Sequence, residues 1–288
     1  MAVANYLRLR FTLTSGSEDL LVAELWTLGT LGIEVPAPAD GACQQILAYF
    51  EEPLAPALDR RLAGSAEWPC SRLEGVETVP AADWLAEYRR KTRPIERGSG
   101  FVVDSREPGE LPILAPSERV LLRIPARSAF GTGSHESTRL ALELMEGLPM
   151  AGLRVLDVGT GTGILALAAL VLGAGDVMGL DIDAVAILLA LENCRLNRLS
   201  PCLVAGTVDC LRATQRFDLA LVNVLPGRIR TYVGAIVGLL PQGGEMIVSG
   251  VLAEQHESYI QELADFGVRE KRSLRSGDWM GSLMEKAA

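Results

Sequence analysis

The stretch Val155–Gly163 reads Val-Leu-Asp-Val-Gly-Thr-Gly-Thr-Gly and is followed by the apolar run Ile164–Ala169. The residues before the glycines are typical of a buried β-strand, and the run after them is typical of a helix. Glycine has no Cβ, so these glycines allow positive φ and let the backbone lie against a ligand. A second apolar run ends at Asp181. Strand, glycine turn, helix, strand and acid predict a nucleoside-binding βαβ unit in which Asp181 accepts hydrogen bonds from ribose hydroxyls.

The spacing of the glycines indicates which nucleoside is bound. Dinucleotide-binding loops have the pattern G-x-G-x-x-G, whereas Gly159, Gly161 and Gly163 follow G-x-G-x-G. Asp157 lies close to the helix N-terminus, where it would repel a phosphate but suit an amine-bearing or cationic ligand. S-adenosylmethionine has ribose hydroxyls, an amino-acid group and a sulfonium, and no phosphate. We therefore predict that these four residues and Asp181 bind S-adenosylmethionine; the alternative is an ordinary glycine turn.

The length and composition of the chain are typical of a packed protein with one or two domains. Its 288 residues are 49% hydrophobic and 22% charged, which argues against disorder. The net charge of −9 disfavours a nucleic-acid partner, because cations that would neutralise phosphates are in the minority. The same negative charge is compatible with a basic protein partner; the alternative is that it serves only to keep the protein soluble.

Cysteine and histidine usage predicts reduced thiols and no metal site. The five cysteines are scattered without a C-x-x-C pair, and His135 and His256 are the two histidines. Charge appears as early as Arg8, so no signal peptide is expected. The longest uncharged stretch, Val158–Gly175, contains five glycines and is interpreted as the cofactor loop and its helix rather than a membrane span. These features predict a cytoplasmic protein with no membrane partner.

Residues 1–78 are predicted to form a small α+β domain of the ferredoxin-like type. Alternating and amphipathic patterns give the order βαββαβ. The predicted strands are near 6–14, 31–35, 45–50 and 72–77, and the predicted helices are near 18–28 and 54–62.

Residues 79–100 are interpreted as a connector. Asp83 can cap a short helix that contains Trp84 and Tyr88. The basic run Arg89–Pro94 follows. It is either a patch for an acidic or phosphate partner or, as is more common, a solvated helix end whose cations suit the helix C-terminus.

Residues 101–288 are predicted to form a larger α/β domain with a Rossmann-like, seven-stranded sheet. Strand-like runs come first, at 101–103 and 120–124, and strands and helices then alternate regularly, which is typical of a mostly parallel sheet covered on both faces. The last two strands are joined by the short turn Ser276–Asp278 and should pair antiparallel. Strands are predicted near 153–158, 177–181, 201–206, 217–224, 244–250, 268–274 and 279–286, and helices near 140–148, 163–172, 184–197, 227–238 and 253–266.

One further sequence signal precedes the glycine loop, and another follows it. The turn-rich stretch Ala129–Arg139 leads into a helix, and such a loop can fold over strand ends where a cofactor lies; the alternative is an ordinary helix start capped by Ser134 or Ser137. Asn223 ends an apolar strand, and ligands of open α/β sheets bind beyond the carboxyl ends of strands. Its amide can accept from a substrate amine, or it is a turn residue bonded to its own backbone.

The glycine loop resembles the cofactor loop of class I S-adenosylmethionine-dependent methyltransferases. From about Trp84 onward, the chain resembles one family of that class, the ribosomal protein L-eleven methyltransferases. Glu136 departs from the resemblance, since the family usually has proline there. The matching segments are Phe130–Thr138, the glycine loop, Gly179–Asp183, Asn223–Leu225, Ser249–Gly250 and Trp279 in the last hairpin.

The resemblance implies specific roles. Thr138, Gly159, Asp181 and Asn223 would contact S-adenosylmethionine or close its site, and the small N-terminal domain would recognise the ribosomal protein. We expect methyl transfer to a neutral amine of that protein, with Asn223 as the residue closest to the chemistry. The alternatives are a methyltransferase for another protein or a small molecule, and a non-catalytic partner-binding module of the same fold.

Overall fold

The computed structural model describes residues 5–13, 18–36, 44–51, 56–63, 68–69, 71–80, 94–106, 119–125, 135–212 and 214–287. The chain divides into two compact units, Met1–Thr92 and Arg93–Ala288. The predicted short helix with Trp84 and Tyr88, most of the basic run after it, and the loop residues 129–134 lie outside the described residues.

The N-terminal unit contains one antiparallel sheet of four strands. The strand order is β2-β3-β1-β4, and every neighbouring pair is antiparallel. This order and pairing are those of the predicted ferredoxin-like arrangement. The elements are β1 (Asn5–Leu13), α1 (Glu18–Thr27), β2 (Gly32–Glu34), β3 (Gln45–Glu51), α2 (Pro56–Ala63) and β4 (Ser71–Pro80).

Alternation along β1 explains why this sheet has one buried face. Leu9 and Phe11 are fully buried and pack with helix residues such as Leu21. Side chains two residues apart share a face of a strand, so Arg8 and Arg10 point to the opposite face, where both form ion pairs with the carboxylate of Glu77.

The second unit begins with a three-stranded sheet made of β5 (Ile95–Arg97), β6 (Phe101–Asp104) and β7 (Val120–Arg123). Strand β5 lies in the range assigned above to the connector, because three residues are too few to show a periodic pattern. The turn between β5 and β6 is held by Glu146, whose carboxylate accepts from the backbone amides of Ser99 at 2.8 Å and Gly100 at 2.7 Å.

The main sheet has seven strands, as predicted. Its order is β10-β9-β8-β11-β12-β14-β13, with parallel pairing from β10 to β12 and antiparallel pairing of β14 with both of its neighbours. The glycine strand β8 therefore pairs with β9 on one side and β11 on the other. The strands are β8 (Arg154–Val158), β9 (Asp176–Asp181), β10 (Cys202–Ala205), β11 (Leu219–Asn223), β12 (Glu245–Leu252), β13 (Val268–Ser276) and β14 (Trp279–Lys286).

Helices cover both faces of this sheet. Leu219 and Leu221 of β11 belong to one core cluster, while Ala220 and Val222 belong to the other. Parallel strands buried on both faces read as continuous apolar runs, which is why β11 has no polar alternation. The helices are α3 (Glu136–Glu146), α4 (Ile164–Val171), α5 (Ala184–Asn197), α6 (Pro226–Ile229), α7 (Val233–Leu239) and α8 (Ala253–Ala264).

Two helix predictions were wrong in detail. Helix α3 starts at Glu136 rather than at residue 140, and its cap is His135, whose Nδ1 accepts from the backbone amide of Ser137 at 3.2 Å, rather than Ser134 or Ser137. The predicted helix 227–238 is divided by a 3₁₀ turn, Arg230–Tyr232, into α6 and α7. None of the helices in the described part of the chain has both the length and the apolar character needed to span a membrane.

Candidate active site

The glycine loop connects β8 to α4 with the backbone conformations predicted for it. Gly159, Gly161 and Gly163 have φ of 73°, 53° and 81°. A Cβ on Gly159 would lie 2.5 Å from Cγ2 of Val224, so this position requires glycine for space as well as for φ. The loop is tied to the end of β9, because the amides of Gly159 and Thr160 both donate to the carbonyl of Leu180 at 2.8 Å.

Asp157 anchors the glycine loop through hydrogen bonds that its side chain accepts. The residue is buried, and its Oδ2 accepts from Oγ1 of Thr160 at 2.6 Å and from the amide of Ala166 at 3.1 Å. Burial raises the pKa of the Asp157 carboxyl to about 7, although both hydrogen bonds oppose the shift. The carboxyl therefore joins strand, loop and helix, and its contact with the cofactor stays a prediction.

Asp181 stands at the carboxyl end of β9, beside the glycine loop. Its Oδ2 accepts from the amide of Gly161 at 2.9 Å, and its Oδ1 accepts from the amide of Asp183 at 2.9 Å. Each carboxylate oxygen has a second lone-pair site, so two further hydrogen bonds remain for a ligand. The structure thus brings the acid and the loop together as the sequence predicted.

Asn223 ends β11, and its side chain faces the first turn of α3. Its Nδ2 donates to Oγ1 of Thr138 at 3.3 Å. Its Oδ1 is buried, and no residue of the described part of the chain donates to it. The β12–β14 pairing is bulged at Gly250, where φ is 78° and a Cβ would lie 3.2 Å from Oδ1 of Asn223. The bulge leaves space around this acceptor oxygen. Since the Asn223 side chain bonds to Thr138, the interpretation of Asn223 as a turn residue bonded to its own backbone is not supported.

His135 and Trp279 meet next to this helix start. Their rings pack edge to face, with centroids 4.6 Å apart and planes at 71°. Trp279 is 1% exposed, and its Nε1 is buried without an acceptor among the described residues. Because β14 runs antiparallel to β12, its first residue lies at the same edge of the sheet as the carboxyl end of β11.

Sequence reasoning missed two residues that support the site. Ser249 donates from Oγ to the carbonyl of Ser137 at 2.8 Å and so fastens α3 to β12. Asn193 donates from Nδ2 to the carbonyl of Thr162 at 2.9 Å and so fastens the glycine loop to α5. Ser249 was noticed only as part of a family match. Asn193 follows Glu192 in the polar C-terminal part of its helix, where the sequence carries no signal for such a contact.

These residues form a cradle for a nucleoside carrying an amine. The cradle offers one strand-end acid and one unpartnered amide oxygen, both at the carboxyl ends of parallel strands of one sheet, where open α/β sheets bind ligands. Among the described residues, there is no group of histidine, cysteine and acidic side chains that could hold a metal ion.

Known proteins resemble this chain in both fold and sequence. A model of the family described as "Ribosomal protein L11 methyltransferase (PrmA)" matches residues 34–287. The ribosomal protein L11 methyltransferase of Syntrophotalea carbinolica is 33% identical over 298 aligned residues, which cover 95% of this chain and 96% of that protein. The one from Pelobacter propionicus is 34% identical over 220 residues, which cover 74% of this chain and 70% of that protein.

A solved structure agrees with these matches. The crystal structure of ribosomal protein L11 methylase from Lactobacillus delbrueckii subsp. bulgaricus matches with a TM-score of 0.62 and 26% identity, covering 68% of this chain and 99% of that one. The family match begins at Glu34, which is upstream of the resemblance seen in the sequence. Fold, cofactor loop and sequence agree, and this chain belongs to the ribosomal protein L11 methyltransferase family of class I, S-adenosylmethionine-dependent enzymes.

Proposed function

We propose that this chain methylates amines of ribosomal protein L11, at lysine side chains or the N-terminal amine. The observation that carries the proposal is the buried, unpartnered Oδ1 of Asn223 at the edge of the glycine loop. A buried acceptor without a donor costs free energy, and a substrate N–H would satisfy it.

The residues of the cradle fit S-adenosylmethionine. Asp181 has lone pairs left for two ribose hydroxyls, and the positive φ of Gly159 lets the loop turn beside this acid. Thr138, Asp157, Gly161 and Gly163 complete the set that we assign to cofactor binding. When bound, the cofactor supplies an electrophilic methyl group on a sulfonium.

Asn223 orients the amine rather than deprotonating it. Since its Nδ2 donates to Thr138, its free Oδ1 can accept one N–H of a neutral amine and direct the nitrogen lone pair. A lysine ammonium has a pKa near 10.4 and must first lose a proton, which water can take. Most of the rate then comes from alignment of the reacting atoms.

The N-terminal unit is the part that we assign to recognition of the protein substrate. It carries none of the cofactor residues, and residues 1–80 contain more acidic than basic side chains, which suits a basic protein partner. We assign no direct nucleic-acid or membrane partner. The described cysteines, Cys194, Cys202 and Cys210, are free thiols, which supports a cytoplasmic location.

Removal of the N-terminal unit tests this division of roles. A chain beginning at Pro80 should bind S-adenosylmethionine with nearly unchanged affinity in calorimetry and should no longer methylate ribosomal protein L11. Methylation at the full rate by the shortened chain would contradict the assignment. Loss of cofactor binding would show that the second unit depends on the first, and the assignment would also be withdrawn.

A further inference from the structure

A cluster of three polar side chains joins the start of α3 to the last hairpin. Oγ of Ser276 donates to Oε2 of Glu136 and accepts from Nη2 of Arg139. Nε of Arg139 lies 2.9 Å from the same carboxylate oxygen, which closes the ring as an ion pair. We call Glu136, Arg139 and Ser276 the clasp.

The clasp lies between the elements that carry the site. Glu136 directly follows His135 and precedes Thr138 by two residues on the first turn of α3. Ser276 is the last residue of β13, and Trp279, the first residue of β14, follows after a two-residue turn. A shift of this hairpin relative to α3 would therefore move Trp279 relative to His135, with which it is in ring contact.

The charges around the clasp favour an ionised carboxylate at Glu136. Burial acts against ionisation, but the bond from Ser276 and the charges of Arg139 and Arg97 outweigh it, so the pKa of Glu136 is lowered. An acidic residue in the first turn of a helix also interacts favourably with the helix dipole. Glu143 pairs with Arg139 as well, at 3.7 Å, but has no described contact with the hairpin.

We propose that Glu136, acting through Ser276 and Arg139, is a positioning residue that sets the place of Trp279 against the helix start carrying His135 and Thr138. Trp279 and Asn223 are then held at one edge of the sheet in the geometry that methyl transfer needs. Glu136 touches no reacting atom in this role. The kinetic part of the proposal rests on the proposed function, whereas the structural part does not.

Two variants remove the clasp without breaking the helix. Ser276→Ala removes the shared hydroxyl. Glu136→Pro removes the carboxylate, and proline is well suited to the first helical position; His135 already has the extended conformation, φ −72° and ψ 141°, that a following proline requires. Ser276→Thr keeps the hydroxyl and serves as the rescue variant. Glu143→Gln is the matched control, since it weakens an ion pair of Arg139 but leaves the hairpin contact intact.

The measurements are kcat and KM with ribosomal protein L11, and the ¹⁹F spectrum of protein labelled with 5-fluorotryptophan. The chain has four tryptophans, and Trp279→Phe identifies the resonance of Trp279. We expect Ser276→Ala and Glu136→Pro to move this resonance and to lower kcat by about tenfold or more, because a displacement of about 1 Å can cost on the order of 100-fold. KM should change by less than about threefold, and Ser276→Thr and Glu143→Gln should resemble the wild type.

Three results would overturn the proposal: an unmoved Trp279 resonance in both clasp variants, wild-type kcat in both, or an equal loss of kcat in Glu143→Gln. If the wild-type chain itself does not methylate ribosomal protein L11, the proposed function fails, and the fluorine spectrum alone then decides the clasp. A shift of the Trp279 resonance in the clasp variants would support the structural part of the proposal, and an unshifted resonance would reject it.

Discussion

Asn223 and Thr138 are 85 residues apart in the chain, yet Nδ2 of Asn223 donates to Oγ1 of Thr138 at 3.3 Å. This contact uses the donor side of the amide and leaves its buried oxygen without a donor. One hydrogen bond thus fixes which face of Asn223 is offered to a ligand. The contact also joins β11, the strand beside the glycine strand, to the first turn of α3.

Asn223→Ala should lower kcat by about 100-fold, since the substrate nitrogen loses its orienting acceptor. The melting temperature should change little, because the residue lies at a strand end and supports little packing. Activity should not return at about pH 10, where lysine amines are largely neutral, because the lost function is alignment rather than proton removal. Near-normal turnover, or full recovery at high pH, would leave Asn223 as a structural residue.

Asp181→Ala should weaken S-adenosylmethionine binding at least tenfold, since charge-assisted hydrogen bonds contribute roughly 1.5–3 kcal/mol each. Asp181→Asn keeps one acceptor oxygen and should lose less affinity. Calorimetric titration of both variants measures the difference. An unchanged dissociation constant in Asp181→Ala would show that the acid does not hold the ribose.

Gly159→Ala should disturb both the fold and the cofactor site, whereas Gly152→Ala should disturb only the fold. Both glycines have positive φ, 73° and 79°, but only Gly159 has a neighbour in the way, the side chain of Val224. Forcing alanine into positive φ costs about 1–2 kcal/mol at either position. Denaturant unfolding should show that loss in both variants.

Cofactor affinity separates the two glycine variants. S-adenosylmethionine binding should fall in Gly159→Ala and stay normal in Gly152→Ala. Adding Val224→Ala to Gly159→Ala should restore part of the lost affinity, because it removes the atom that the new methyl group meets. Equal S-adenosylmethionine affinities in Gly159→Ala and Gly152→Ala would show that the close contact with Val224 does not affect the cofactor site.

The stability of the protein should respond to the titration of Asp157. Its pKa is raised to about 7 by burial, so the folded state holds this proton more tightly than the unfolded state does. The resulting contribution to the free energy of unfolding is fully present below about pH 4 and is lost as the pH rises to about 7. Between pH 5 and pH 7, wild type should lose about 2 kcal/mol relative to Asp157→Asn, which cannot ionise there. Parallel stability curves for the two proteins would contradict the raised pKa.

The main sheet was predictable because its signals are local and repeated. Apolar runs, glycine turns and helix periods placed all seven strands within a few residues, and the short turn before Trp279 indicated the antiparallel last pair. The glycine loop, Asp181 and Asn223 were found because each lies at the carboxyl end of a strand. The carboxyl ends of neighbouring parallel strands meet at one edge, so sequence position alone brings these residues together.

Contacts between distant segments were not predictable. Asn193 meets the glycine loop only through the packing of α5, and Ser276 reaches Glu136 across 140 residues of chain. The cap of α3 was missed because histidine is an uncommon cap, and its role depends on where the imidazole nitrogen points. Strand β5 was missed because its three residues pair only with a neighbouring strand and carry no pattern of their own.

Mass spectrometry of ribosomal protein L11 after incubation with the full-length chain and S-adenosylmethionine tests the central claim most directly. We predict methyl groups on lysine side chains or on the N-terminal amine, far fewer methyl groups with Asn223→Ala, and none without the cofactor. Calorimetry on the same preparations confirms that each binds S-adenosylmethionine. A chain that binds the cofactor and leaves every amine of ribosomal protein L11 unmodified would contradict the assignment of substrate and reaction.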